Sequence, residues 1–243
     1  MQFELFIKKL ARRFGVDLRA YRPARSEAAR LARMLEQHRI DTVLDVGANT
    51  GQFARHLRSI GYRGRIICFD PLQEAHAALV KLARTDPALT VAPRQALGES
   101  SGEVEINVSA NLESSSLLSV SEAHLQAEPR VRTVATEKVP MRRLDEAVLS
   151  YLSPGDRVFL KIDVQGYELP VLRGAERVLG QVIGVQLELS LQPLYQGEPL
   201  FREVIDAVEA LGFALYDANP CFSDDATGRT YQVDGVFFRN EAS

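Results

Sequence analysis

Apolar positions in the opening stretch MQFELFIKKLARRFGVD repeat at helical spacing, with Phe3, Phe6, Ile7, Leu10 and Phe14 on one face and Lys8, Lys9, Arg12 and Arg13 on the other. This is the pattern of an amphipathic basic helix. It is compatible with packing on a main domain, the basic face in water, or with docking on an anionic membrane surface. Arg19, Arg22 and Arg25 extend the positive charge and lean toward the membrane, giving residues 1–25 as the candidate contact. A second helix is predicted from a Ser26 N-cap to about His38, burying Leu31, Met34 and Leu35. Residues 1–40 therefore read as a helical extension ahead of a main domain at 41–243.

From Asp41 short apolar runs alternate with helical periods. Thr42 to Val46 reads as a buried strand, Gly51 to Ile60 as a helix, Arg65 to Phe69 as a strand and Leu72 to Arg84 as a helix. Such βαβα order predicts an α/β fold, an open parallel sheet covered by helices, with ligands at the carboxyl ends of the strands. Further strands are expected at Leu89 to Arg94, Arg157 to Asp163 and Ile183 to Leu189. Pro199 and Gly212 bracket a helix with Phe201, Val204, Ile205, Val208 and Leu211 on its apolar face. Phe213 to Tyr216 and Tyr231 to Arg239 follow without an intervening helix, so they are most simply antiparallel. Between about 98 and 146 the alternation breaks. Glu103 to Val108 resembles an exposed strand to which Thr133 to Val139 could pair back, either as a cover over a ligand or as a peripheral hairpin.

The chain has 243 residues, 46% hydrophobic and 25% charged, enough to bury a sizeable core. A formal charge of −3 gives no general attraction to nucleic acid. Cys68 and Cys221 make neither a disulfide framework nor a metal cluster by their spacing, which fits a reducing cytosol. No apolar run is long enough to span a membrane.

The chemistry concentrates in LDVGANTGQF, between the first strand and the first helix. Gly47, Asn49 and Gly51 alternate there, two glycines and the side chain that next best tolerates left-handed backbone, leaving a bare turn at a helix N-terminus suited to an anionic group. A dinucleotide fingerprint would need glycine at 47, 49 and 52, and only the first matches. Asp45 would repel a pyrophosphate but suits a ligand that brings an amine. S-adenosylmethionine has that amine, a carboxylate and no phosphate, and Asp70, closing the second strand beside Pro71, is placed to accept from both ribose hydroxyls.

VLDVGANTGQF, IICFDP, SSSLL, VPMRRLDE, FLKIDVQGYELPVLRGA and GVQLELS together resemble the FkbM-type family of Class I S-adenosylmethionine-dependent methyltransferases, over about Thr42 to Arg239. The family commonly shows Glu where this chain has Gln165, so no proton-transfer role is given to that position. The resemblance implies a Rossmann-like, mostly parallel seven-stranded sheet with helices on both faces and an antiparallel last strand. It also implies methyl transfer to a hydroxyl of a sugar, free or on a glycolipid, or of a polyketide-like natural product. Asp45, Gly47, Asn49 and Gly51 would line the methionine part of the cofactor, Asp70 the ribose, and Gln95, Ala96 and Leu97 the adenine.

Strand alternation sends Lys161 and Asp163 to one side, with Asp163 at the carboxyl end. Asp163 and Glu188 are the candidate bases, although Asp163 could be a salt-bridge partner and Glu188 could pair with an arginine. Glu168 is a candidate helix cap. Tyr195, Lys161, Ser115 and Ser116 are candidates for holding the acceptor, the serines being equally compatible with a solvated loop. His124 is a weaker alternative base, and no His, Cys and carboxylate spacing points to a metal. A cofactor-binding protein without turnover, or a nucleotide-dependent oxidoreductase, are the alternative functions. Nucleic acid is not expected as a partner, and the sequence leaves the oligomeric state open.

Overall fold

The computed structural model describes residues 2–16, 18 and 21–239, with no side-chain placement for 2–4. The Phe3 side chain and Arg19, both used above, therefore lie outside what is described. Helix α1 (Gln2–Arg13) and helix α2 (Glu27–Gln37) precede the sheet domain. Ser26 caps α2 as expected, its Oγ accepting from Ala29 N at 3.3 Å, and Leu31 and Leu35 are buried while Met34 is only partly so. Leu5, Phe6, Ile7 and Leu10 of α1 are exposed, so this helix does not bury its large apolar side chains on the domain.

Strands β1 (Thr42–Val46), β2 (Arg65–Phe69), β3 (Leu89–Val91), β7 (Val158–Ile162), β8 (Val182–Ser190), β9 (Phe213–Ser223) and β10 (Thr230–Arg239) form a seven-stranded sheet in the order β3-β2-β1-β7-β8-β10-β9. β1 pairs in parallel with β2 and β7, β7 with β8, and β10 lies antiparallel between β8 and β9. β1 and β2 have the bounds their apolar runs predict. β3 stops at Val91, short of the expected Arg94, because Pro93 has no N–H for a ladder. From β1 the sheet is built outward to both sides, through β2 and β3 one way and β7 and β8 the other, which makes the carboxyl ends of β1 and β7 a switch-point crevice.

Helices α3 (Gln52–Ser59), α4 (Gln73–Ala83), α7 (Glu168–Arg173) and α8 (Phe201–Ala210) surround the sheet. One core, with Leu44, Val46, Leu160 and Leu187, packs against Val171 of α7 and Val204 and Val208 of α8; the other, with Val43, Ile66 and Phe159, packs against α2, α3 and α4 through Leu31, Leu57 and Leu79. Strand alternation thus buries both faces.

The interruption contains β4 (Ala96–Gly98), β5 (Gly102–Ser109) and β6 (Thr133–Arg143), with helices α5 (Glu122–Ala127) and α6 (Leu144–Ala147). β6 pairs antiparallel with β5, as the sequence suggested, and in parallel with β4, which it did not reveal. This three-stranded sheet packs through Ile106, Val139 and Met141 onto Leu72 and Ala75 at the start of α4, and so hangs over the carboxyl ends of the main strands.

Candidate active site

A cavity of about 550 Å³ opens at those carboxyl ends, within the range of small-molecule sites. Its first wall is the turn after β1. Gly47 N and Ala48 N both donate to Phe69 O at 3.0 Å, and Asp163 N donates to Val46 O at 2.9 Å, so the turn is tied to β2 and β7 together. Gly47 has φ +77°, and a Cβ there would lie 1.8 Å from the Asp163 carbonyl oxygen; no other residue fits. Asn49 takes left-handed backbone at φ 47°. Its Oδ1 is buried without a partner on the cavity wall, an acceptor awaiting a donor.

Asp70 lies on the same wall. Its Oδ2 accepts from Asn49 N at 2.8 Å and its Oδ1 from Leu72 N at 2.9 Å, leaving further lone pairs on both oxygens. Burial pushes its pKa up to about 6 against these two backbone hydrogen bonds. Pro71, Gln95, Ala96 and Leu97 continue the wall. Acceptors at Asn49, Asp70 and Gln95, apolar Leu97 and Phe69, and the amide end of α3 fit the amine, hydroxyls, base and carboxylate of S-adenosylmethionine. Gly51 and Asp45 are placed differently from the expectation. Gly51, φ +88°, is the N-cap of α3 and faces Leu79 and Leu82, so it shapes the turn without lining the cavity. Asp45 is fully buried behind the wall, 3.8 Å from Lys161 Nζ, an ion-pair distance too long for a hydrogen bond. Burial raises its pKa to about 6, with Lys161 opposing.

The floor is built by β7 and β8. Lys161 Nζ donates to Asp163 Oδ2 at 2.9 Å and stands 5.3 Å over the Phe53 ring. Gln165, at φ 57°, donates through Nε2 to Asp163 Oδ1 at 2.7 Å and to Glu188 Oε2 at 2.5 Å. One carboxamide thus holds the two candidate bases together. Burial raises the Asp163 pKa, but the Lys161 charge and hydrogen bonds from Lys161, Gln165 and Glu188 outweigh it, and the net direction is down. Glu188 goes well above the ordinary range, first through burial and then through the negative charges of Asp163, Asp234 and Glu168. Two neighbouring carboxyl groups are thus pushed apart, Asp163 toward its ionised form and Glu188 toward its protonated form. Lys161 stays charged, since Asp163 and Asp45 more than offset its burial. Its ammonium is engaged in this ion pair on the cavity floor.

Tyr195 also departs from the expectation. It is fully buried outside the cavity wall, with its hydroxyl 2.7 Å from Gln165 Oε1 and 3.0 Å from the Ser114 carbonyl. Its hydroxyl holds the Gln165 carboxamide. Ser115 and Ser116 line the cavity, but their hydroxyls are engaged internally. Ser115 Oγ donates to Leu112 O at 2.7 Å and Ser116 Oγ to Gln165 O at 2.6 Å. Glu168 does not cap its helix from outside; as its first residue, it accepts from Val164 N and Gly166 N, bracing the turn that carries Gln165. His124 lines the cavity between the Tyr195 and Phe222 rings, its Nδ1 unpartnered, and burial lowers its pKa.

The far wall brings in residues that sequence reasoning missed: Gln186 on β8, Asp234 and Gln232 on β10, Cys221 and Phe222 on β9, and Glu27 on α2. Asp234 sits opposite Glu188 in the β8–β10 ladder, and burial followed by Asp163 raises its pKa to about 6. An acid inside the otherwise apolar run from Val233 to Phe238 was a readable signal, the same one that marked Asp163. Donor atoms of Glu188, Cys221 and Asp234 lie within 4.8 Å of one another. That grouping, on three separate strands, is invisible to spacing along the chain.

Residues 45–215 match the methyltransferase FkbM domain family, more than half of the chain. The protein belongs to that family. Membership supports S-adenosylmethionine as the cofactor of the wall just described. Methyltransferase sdnD of Sordaria araneosa is similar at 28% identity over 155 residues, 55% of this chain and 60% of that protein, so the chain spans under two thirds of the relative's length. Among solved structures, Aeropyrum pernix fibrillarin with natively bound S-adenosyl-L-methionine is similar with a TM-score of 0.45 at 15% identity, covering 81% of this chain and 66% of that one. The O-methyltransferase NcsB1 from neocarzinostatin biosynthesis gives 0.42 at 12% identity, covering 88% and 56%. At these low scores the fold rests on the strand order itself.

Proposed function

We propose that the protein is an S-adenosylmethionine-dependent O-methyltransferase whose acceptor is a hydroxyl of a sugar, free or carried on a glycolipid, with a polyketide-like natural product as the second acceptor class. The observation that carries the reading is the Asp163–Gln165–Glu188 bridge, with the Asp163 backbone touching the Gly47 turn of the cofactor wall. Bound there, the cofactor supplies a methyl group already activated by its sulfonium, so the chain has chiefly to align an oxygen and accept its proton. Asp163, held ionised by Lys161, accepts the hydrogen bond of the acceptor hydroxyl and takes its proton. Carboxylates and carboxamides at Gln186, Gln232 and Asp234, beside the Phe222 ring, offer the polar edges and apolar platform that a polyol needs.

A protonated Glu188 would donate to Asp163 and weaken it as a base. Methyl transfer should therefore rise with pH as Glu188 loses its proton, above the usual glutamate range. In a Glu188→Gln variant, which keeps a permanent neutral donor, the profile should be flat over that interval. Superimposable profiles for the two proteins would remove Glu188 from the reaction.

A further inference from the structure

The exposed face of α1 is an apolar feature that the methyl-transfer site leaves unused. Phe6 is 63% exposed, Leu10 45% and Phe14 78%, and Ile7 shares their arc. The partly covered positions of this helix are Lys8 and Ala11, a strip that borders the arc beside Ile7, so Phe6, Leu10 and Phe14 are the part of the arc turned to solvent. Val16 and Leu18, just beyond the helix, are exposed as well. Around the arc the charge is one-sided. Residues 1–25 carry basic side chains against only Glu4 and Asp17, although the whole chain is net −3. The chain keeps its positive charge beside its exposed apolar face.

We propose that α1 docks the protein on an anionic lipid bilayer, lying in the interface with Phe6, Leu10 and Phe14 among the acyl chains and Lys9 and Arg13 at the headgroups. An apolar arc flanked by cations is the arrangement that such a surface selects, by area buried together with attraction to anionic lipid. Self-association through the same face would bring like charges together, which disfavours a second copy as its occupant. Residues 14–26 join α1 to Glu27, which lines the cavity, so docking would tether the cavity to the membrane. The surface stands on its own, whichever hydroxyl is methylated.

The test is sedimentation of the full chain with vesicles of phosphatidylcholine alone or with phosphatidylglycerol added, at low and high salt, for wild type, Phe6→Glu/Phe14→Glu and Lys9→Glu/Arg13→Glu. Thermal melts check that each protein is folded. Wild type should partition onto the anionic vesicles at least tenfold more strongly than onto neutral ones. Salt should weaken that binding, and both variants should lose at least tenfold. Wild type left in the supernatant, equal binding to neutral vesicles, or a wild-type dimer that Phe6→Glu/Phe14→Glu splits without any vesicle binding would each overturn the proposal.

Discussion

The two walls of the cavity are made in different ways. The cofactor wall is mostly backbone, a turn of Gly47, Ala48 and Asn49 tied to β2 by amides, with one carboxylate, Asp70, itself held by two more. The acceptor side is mostly side chains, from β7, β8, β9, β10 and α2, whose carboxylates lean on one another for their protonation states. A backbone cradle is rigid and tolerates little change, whereas a side-chain network can be retuned one residue at a time. Substitutions on the two sides should separate cleanly.

Asp163→Asn should produce the largest effect, lowering kcat by about 10²–10⁴-fold, the usual contribution of a positioned acid or base, while calorimetric affinity for S-adenosylmethionine stays near that of wild type. Loss of cofactor affinity instead would join the two walls into one unit. Gly47→Ala strikes the backbone side, since its methyl group would meet the Asp163 carbonyl at 1.8 Å. Urea unfolding should show a loss of roughly 3–4 kcal/mol together with loss of cofactor binding.

Glu168 tests how the network is braced. Burial raises its pKa from 4.5 to about 7 against hydrogen bonds from its surroundings. A raised folded pKa means that the native state binds more protons than the unfolded one between these values, so stability is full below about pH 4.5 and falls as pH rises through 7. Ionising it costs roughly 3 kcal/mol by that displacement, and Glu168→Gln should flatten the fall of Tm between pH 4.5 and about 7. Asp45, Asp70 and Asp234, raised to about 6, slope the same way, so a remnant should persist in the variant. Tyr195→Phe should have the smallest effect. It removes the hydroxyl beside Gln165 Oε1 and should lower kcat by about fivefold, in line with about 1 kcal/mol for one hydrogen bond, with KM for the cofactor unchanged.

The same division explains what was legible in the sequence. Gly47, Asn49 and Asp70 were readable because the turn is local: its conformational demands fall on neighbouring residues, and the strands beside it show their own apolar runs. β1 and β2 emerged with their bounds for the same reason. Asp45 looked like a wall residue because its position in the motif is right, but its carboxylate is fully buried beside the Lys161 ammonium, and Lys161 is the one of the pair that reaches the cavity. Tyr195 looked like a pocket residue and lies behind Gln165, a relation fixed by two loops far apart in the chain. Asp234 and Cys221 reach Glu188 only through strand pairing across β8, β10 and β9, which no local pattern encodes.

The most direct test of the central claim is the site of the transferred methyl group. S-adenosylmethionine labelled with carbon-13 in its methyl group, incubated with the protein and a panel of sugar and glycolipid acceptors, should yield a product whose labelled carbon has the NMR shift and couplings of a methyl ether. Asp163→Asn should form that product far more slowly. A label on nitrogen or carbon, or the same ether formed at the same rate by Asp163→Asn, would contradict an oxygen acceptor deprotonated at Asp163.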